Sequence, residues 1–187
     1  MTGWRAWEEF VVAEQVRVCG PALRAAAVLQ PHLDYSVWYP RTGIVIETDR
    51  DEITSAAVAA ALRSVLRSER HGQILGAGAC WITLAEGTEA REVVPAIADA
   101  VGCSRPRGEN VYSWTKRAVY QTGTRLVVLD GVDRALRGRG IGELADAGLE
   151  YLIKDQDATA YVLIGENLCE RLTGRNPRLG YYLTRLP

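Results

Sequence analysis

Two acidic side chains follow an apolar run in the second half of the chain. Leu126 to Leu129 are four consecutive apolar residues, and Asp130 and Asp133 come next. Such a run indicates a strand that is buried on both faces, and strands of this kind lie in the middle of parallel sheets. Ligands bind beyond the carboxyl ends of these strands, and carboxylate oxygens are ligands that Mg²⁺ prefers. The pattern therefore indicates a candidate site for Mg²⁺ at this strand end.

The elements that must position these acids can be predicted from apolar runs and from helical periodicity. We predict strands at Gly43–Glu47, Ala79–Leu84, Leu126–Asp130, Thr159–Ile164 and Tyr181–Leu186. Amphipathic helices begin near Thr54, Thr88, Val111, Ile141 and Leu168, and a polar loop runs from Arg134 to Gly140. Strands that alternate with helices predict an α/β fold with a mostly parallel central sheet and helices on both faces.

The first part of the chain has a different pattern. Residues Gly3 to Val18 have apolar side chains at near-helical spacing, and Pro21 suits the first turn of a second helix that ends near Gln30. An aromatic connector that ends at Pro40 follows. We therefore divide the chain into an N-terminal helical extension with its connector, residues 1–42, and an α/β core, residues 43–187.

Composition narrows the classes of function. The chain has 187 residues, 48% of them apolar, which suits a domain with a sizeable core. Its net charge of -1 gives no overall basic field for nucleic acid. The four cysteines lack the close spacing of zinc sites and are expected to be free thiols. No signal peptide or membrane-length apolar run is evident, so we expect a cytoplasmic protein without a membrane partner.

The order of these features resembles the core of an AAA+ ATPase. Within that superfamily, Leu126 to Asp133, Val162 to Gly165 and Asn176 to Leu179 are most similar to bacterial transposition-adaptor ATPases of the TniB and TnsC kind. The resemblance covers roughly Gly43 to Leu186. It implies a P-loop NTPase core, in which the first strand leads into a phosphate-binding loop and the third strand supplies an acid for Mg²⁺.

The phosphate-binding loop that this resemblance implies is degenerate. Such a loop needs glycines that expose backbone N–H groups, a lysine for the phosphates and a hydroxyl for Mg²⁺. Thr54 and Ser55 retain hydroxyls, but Glu47 and Glu52 stand at the glycine positions and Ile53 at the lysine position. The loss of these groups does not favour ordinary binding of ATP.

The acidity of the same turn leads to the same expectation. Several carboxylates in a partly desolvated cleft would repel a polyphosphate, and the only lysines, Lys116 and Lys154, lie in predicted helices elsewhere. A solvated acidic turn is the favoured interpretation, and the alternative is a turn that binds Mg²⁺ or Ca²⁺ by itself. We expect no cofactor on the favoured interpretation.

The resemblance also assigns the acids of the third strand. Asp130 and Asp133 match its metal-associated acids, but Gly131 stands where the catalytic glutamate would polarise water, and glycine cannot act as a base. Asn167 or Glu166 falls near the polar sensor position. The vestigial nucleotide-binding set is thus Thr54, Ser55, Asp130, Asp133 and Asn167. Families of this kind have an arginine that reaches the nucleotide of a neighbouring subunit. The arginines of this chain near that position are Arg175, Arg178 and Arg185.

These losses favour a binding role over hydrolysis. With no catalytic residue retained and no helical lid after the fifth strand, we expect an inactive AAA+-like module that binds a protein. The partner would be an AAA+ ATPase, a transposase or another regulator in a mobile-element or DNA-transaction system. The alternative is an ATP- and Mg²⁺-dependent protein whose phosphate site is non-standard or is completed by a partner subunit. A weaker extension is contact with DNA phosphates through Arg134, Arg137 and Arg139.

Overall fold

The structure is a computed structural model. It describes residues 22–29, 43–48, 55–65, 79–103, 108–136, 140–154 and 159–186. The predicted helix at Gly3–Val18, the aromatic connector, and the site candidates Thr54, Arg137 and Arg139 lie outside these residues. Within the described ranges, no helix combines the length and the apolar character that crossing a membrane requires.

Five parallel strands form one sheet, as the alternation of elements predicts. The strands are β1 (Gly43–Glu47), β2 (Ala79–Thr83), β3 (Leu126–Asp130), β4 (Ala160–Gly165) and β5 (Leu183–Leu186). Their order across the sheet is β2-β3-β4-β1-β5, and every neighbouring pair is parallel. The sheet confirms the α/β class and places the run from Leu126 to Asp130 between two other strands.

The helices agree in most places with the sequence pattern. They are α1 (22–29), α2 (Ser55–Val65), α3 (Ala90–Ala100), α4 (Val111–Gln121), α5 (Val132–Ala135), α6 (Gly140–Leu144), α7 (Glu150–Lys154) and α8 (Leu168–Arg175). A 3-10 turn at Pro177–Tyr181 precedes β5. The predicted loop that begins at Arg134 is partly wrong, because Arg134 lies within the single turn of α5.

The two faces of the sheet bury separate hydrophobic cores. Ile44 and Ile46 of β1 pack with α1 and α2 on one face. Val45, between them, packs with the other helices on the opposite face. This follows from the alternation of side chains along a strand, and it confirms helices on both faces. The connection from β1 therefore crosses one face through α2, and the connection from β4 crosses the other through α8.

One predicted helix is broken. The apolar pattern from Ile141 to Leu152 predicts a continuous helix, but a π-helical turn at Ala145–Leu149 separates α6 from α7. Gly148 has a φ of 147°, and a Cβ atom there would overlap the ring of Tyr112 in α4. The helix is interrupted because the Tyr112 ring occupies the space of a side chain at position 148. Only glycine accepts this backbone conformation without strain.

Candidate functional site

Three acids lie at the carboxyl edge of the sheet, and we call Glu47, Asp130 and Asp133 the carboxylate edge. Glu47 pairs with Gly165 of β4, and Asp130 pairs with Ile164 on the other side of the same strand. The connections after β1 and β4 leave for opposite faces, and such a reversal is where open α/β sheets form ligand crevices. The edge is therefore in the place where the sequence predicts chemistry.

Strand alternation separates the acids. Asp130 shares the parity of Leu126 and Val128, which pack on the α2 face. Glu47 shares the parity of Val45, which packs on the opposite face. The structure thus brings the acids to one edge of the sheet but aims them at two faces.

Asp130 is buried and poorly satisfied. It is 5% exposed, and its Oδ1 atom has no hydrogen-bond partner among the described residues. The guanidinium of Arg134 lies one helical turn later, with 3.7 Å between Nη2 and Oδ1. The predicted DNA contact Arg134 is therefore directed at this acid. Because the Arg134 side chain is partly exposed to solvent, this ion pair contributes little to the stability of the protein.

Asp133 lies over the backbone of β4. A Cβ atom on Gly165 would overlap its carboxylate, with the carboxyl carbon at 3.0 Å, so Gly165 provides the space that Asp133 occupies. The Oδ1 atom of Asp133 is also buried without a described hydrogen-bond partner. Because Gly165 pairs with Glu47 and faces the same side, Asp133 belongs with Glu47 rather than with Asp130.

Gly131, where the resemblance would place a catalytic glutamate, has a restrictive backbone conformation. Its φ is 76° and its ψ is 26°, in the left-handed region, where it begins α5. A Cβ atom there would lie 2.8 Å from Nη2 of Arg134. The backbone therefore disfavours any side chain at this position.

Glu47 has a structural partner that the sequence pattern did not reveal. Its carboxylate accepts hydrogen bonds from the backbone N–H groups of Leu168 at 3.2 Å and Cys169 at 2.9 Å. These are the first two residues of α8, whose N-terminal groups attract anions. The prediction of a solvated acidic turn is thus wrong for Glu47, which caps a helix from another strand.

The cap also involves Arg185 and influences a thiol. The Nε atom of Arg185 lies 3.9 Å from Oε1 of Glu47, so Arg185 is placed at this edge. Burial and the negative charge of Glu47 raise the pKa of the Cys169 thiol, while Arg185 opposes them. Burial raises the pKa of Cys80 as well. Both cysteines are free, as predicted, and neither has the environment of a reactive thiolate.

The other predicted residues that the structure describes have different surroundings. Asn167 is exposed in the left-handed conformation, with a φ of 50°, and its amide donates to the neighbouring Glu166 at 3.0 Å. Ser55 begins α2. Arg178 is exposed in the 3-10 turn, where its backbone N–H donates to Asn176. The geometry gives no hydrogen bond from Asn167 to Asp130 or Asp133 among the described residues.

Among the described residues, the charges of the edge are not favourable for a polyphosphate. Glu47 is opposed by Arg185 and Asp130 by Arg134, which leaves one of the three acids without a described opposing cation. Among the described residues, no group of three or more potential ligands is close enough to hold a metal ion. Glu47 connects β1 with α8 through its two hydrogen bonds, and with β5 through Arg185.

Comparison with known proteins does not assign the chain. No protein-family model matches its sequence, and the search of curated proteins gives no significant match.

Proposed function

We propose that this chain is a catalytically inactive, AAA+-like module that acts by binding another protein. The observation that carries the proposal is the use of Glu47. At the carboxyl edge, where a nucleotide hydrolase needs space and positive potential for phosphates, the chain places its own carboxylate. The helix N-terminus that could attract an anion is already capped.

The remaining geometry supports loss of hydrolysis. Gly131 provides no base, and its left-handed backbone resists the glutamate that would restore one. The acids of the edge face different sides of the sheet, so they do not converge on a single ion. The parallel sheet with helices on both faces is consistent with the α/β core that the resemblance implies, and it supports a scaffold with a binding role.

A hydrolysis assay tests the proposal directly. Purified protein with ATP and Mg²⁺ is expected to release no phosphate above the level of an Asp130→Ala variant. Asp99→Ala, which alters an exposed acid on α3, is the matched control. Hydrolysis that Asp130→Ala abolishes and Asp99→Ala preserves would refute the inactive module.

The binding role is tested by capturing a partner and measuring the mass of the complex. Capture from the native host followed by mass measurement of the complex is expected to give a defined stoichiometry with an AAA+ ATPase, a transposase or another regulator. A chain that stays monomeric and recovers no stoichiometric partner would contradict this half of the proposal. Contact with DNA is a separate extension, supported only by the arginines that begin at Arg134. Its loss in an Arg134→Gln, Arg137→Gln and Arg139→Gln variant would identify it.

One observation favours the alternative of a non-standard nucleotide site. The buried Oδ1 atom of Asp130 lacks a hydrogen-bond donor among the described residues, and it faces the side on which α2 begins with Ser55. Asp130 would hold Mg²⁺ there, and the ion would neutralise phosphate charge. Thermal unfolding with ATP, ADP and Mg²⁺ distinguishes the two functions, since ligand at a hundredfold excess over Kd stabilises by about 2.7 kcal/mol. A shift that Asp130→Asn removes supports the alternative, and no shift supports the inactive module.

A further inference from the structure

A second concave site lies away from the carboxylate edge. It is a cleft of about 400 Å³ between α4, the π-helical turn and α7, and its lining includes Asn110, Tyr112, Ser113, Gly148, Tyr151 and Lys154. We call it the tyrosine pocket. None of its residues belongs to the carboxylate edge. Its volume is within the range of clefts that bind small organic ligands.

The pocket depends on the break in the helix. Gly148 adopts its φ of 147° where the Tyr112 ring packs against it, and this contact separates α6 from α7. An irregular backbone of this kind persists only where surrounding contacts fix it, and here it forms one wall of an open cleft.

Two tyrosine rings shape the interior. Tyr112 and Tyr151 meet edge to face, with 6.1 Å between centroids and 65° between planes. Tyr151 remains 45% exposed, so part of its ring is open to a ligand. A ring plane beside a ring edge is a geometry that packs a third flat group well.

Several polar groups of the pocket can donate hydrogen bonds. Ser113 Oγ and Tyr151 Oη lie 3.4 Å apart and provide hydroxyls. The side-chain oxygen of Asn110 is used by the backbone N–H groups of Tyr112 and Ser113, which leaves its amide NH₂ as a donor. Lys154 adds an exposed ammonium group.

Charged side chains lie in and near the tyrosine pocket. The chain contains only two lysines, and both flank Tyr151, since Lys116 Nζ lies 5.0 Å from the ring centroid and Lys154 lines the cleft. Among the described residues that line the cleft, the single acid is Glu150, and its Oε2 atom accepts a hydrogen bond from Asn176 at 2.8 Å. Among the described residues that line the cleft, Lys154 and Glu150 balance in charge, but the Glu150 carboxylate already accepts a hydrogen bond from Asn176, whereas Lys154 is exposed.

We propose that the tyrosine pocket binds a carboxylate carried on a flat, apolar body. The carboxylate would accept hydrogen bonds from Lys154, Ser113 and Tyr151, and the flat body would pack against the two rings. A free aromatic acid and the carboxyl end of a peptide with a terminal aromatic residue share this chemistry. The proposal does not depend on the function of the carboxylate edge.

The test uses matched acids and amides on the full chain. Phenylacetate represents the free acid, N-acetylphenylalanine represents the peptide end, and phenylacetamide and N-acetylphenylalaninamide are their uncharged controls. Binding is followed by NMR titration of backbone amides. We expect saturable binding of at least one acid, about tenfold or more tighter than its amide, because the charge-assisted hydrogen bonds are lost in the amide. The acid that binds more tightly indicates the source of the ligand.

Variants place the binding in the pocket. Lys154→Gln and Tyr151→Ala are expected to weaken it about tenfold or more, because one loses the charge and the other the stacking surface. Arg91→Gln, an exposed cation elsewhere, and Tyr120→Ala, an exposed ring of α4 that does not line the pocket, are the matched controls and should bind normally. Far-UV circular dichroism checks that each variant is folded. Absence of saturable binding, equal binding of acid and amide, or binding that both pocket variants leave unchanged would overturn the proposal.

Discussion

The carboxylate edge and the tyrosine pocket differ in how far their polar groups are already used. At the edge, Glu47 is used as a cap for α8, whereas Asp130 and Asp133 each keep a buried oxygen without a described hydrogen-bond partner. In the pocket, an exposed ring, hydroxyls and a lysine line an open cleft. The comparison teaches that acids at a strand end can stabilise a scaffold, while binding groups lie on helices with no recognisable motif.

The largest expected effect concerns the wall of the pocket. Gly148→Ala should destabilise the protein by about 3 kcal/mol, because the new Cβ atom overlaps the Tyr112 ring and the backbone is strained. Urea unfolding measures the change. Gly174→Ala in α8 is the control, since a Cβ atom there meets nothing within 4 Å, and it should be neutral or stabilising. Equal effects at the two positions would mean that the helix break does not depend on Tyr112.

A second prediction concerns the restoration of the missing base. Gly131→Glu should lower stability by about 1–2 kcal/mol, because a non-glycine residue is forced to a positive φ, and it should not create ATPase activity. Chemical denaturation and a phosphate-release assay measure the two results. Gly131→Asn should be better tolerated, since asparagine adopts this conformation more readily. Hydrolysis by the Gly131→Glu variant would show that the edge retains a usable nucleotide site.

A third prediction measures the structural use of the edge. Glu47→Ala should cost about 1–2 kcal/mol, the usual range for a lost helix cap, because two backbone N–H groups of α8 lose their acceptor. Thermal and urea unfolding report the loss, with Asp99→Ala as the control for an exposed acid. If the Glu47→Ala variant were as stable as the parent chain and bound nucleotide, the Glu47 carboxylate would block a nucleotide site rather than cap α8.

The smallest effect is on a thiol beside that cap. Because burial and Glu47 raise the pKa of Cys169, the reactive thiolate is scarce at neutral pH and increases only at alkaline pH. Glu47→Gln removes one cause of the increase, so the pH profile of iodoacetamide alkylation at Cys169 should move to lower pH. Arg185→Gln should move it to higher pH. Mass spectrometry of the modified peptide gives the rates, and Cys103 provides an internal reference. Unchanged profiles would mean that the Glu47 charge does not reach the thiol.

The sequence predicts local elements well because their signals are local. The strands from Gly43 to Glu47 and from Leu126 to Asp130 are apolar runs, and the structure confirms both. The cap formed by Glu47 could not be predicted, since it joins β1 to a helix far along the chain. A lone glycine in a helical pattern was the available signal at Gly148, but its partner Tyr112 lies in another helix. Contacts between distant segments are what single-sequence patterns do not contain.

The position of β1 in the sheet has a consequence for how the chain folds. The register pairs Gly43 with Tyr161 on one side and with Leu183 on the other. β1 is the first of the described strands to be synthesised. It therefore cannot pair on either side until β4 and β5 have been synthesised. Contacts of such long sequence separation slow folding and leave apolar strands exposed in the meantime. We expect refolding of this domain to be slow for its size, and nascent chains that end before β4 to need protection from aggregation.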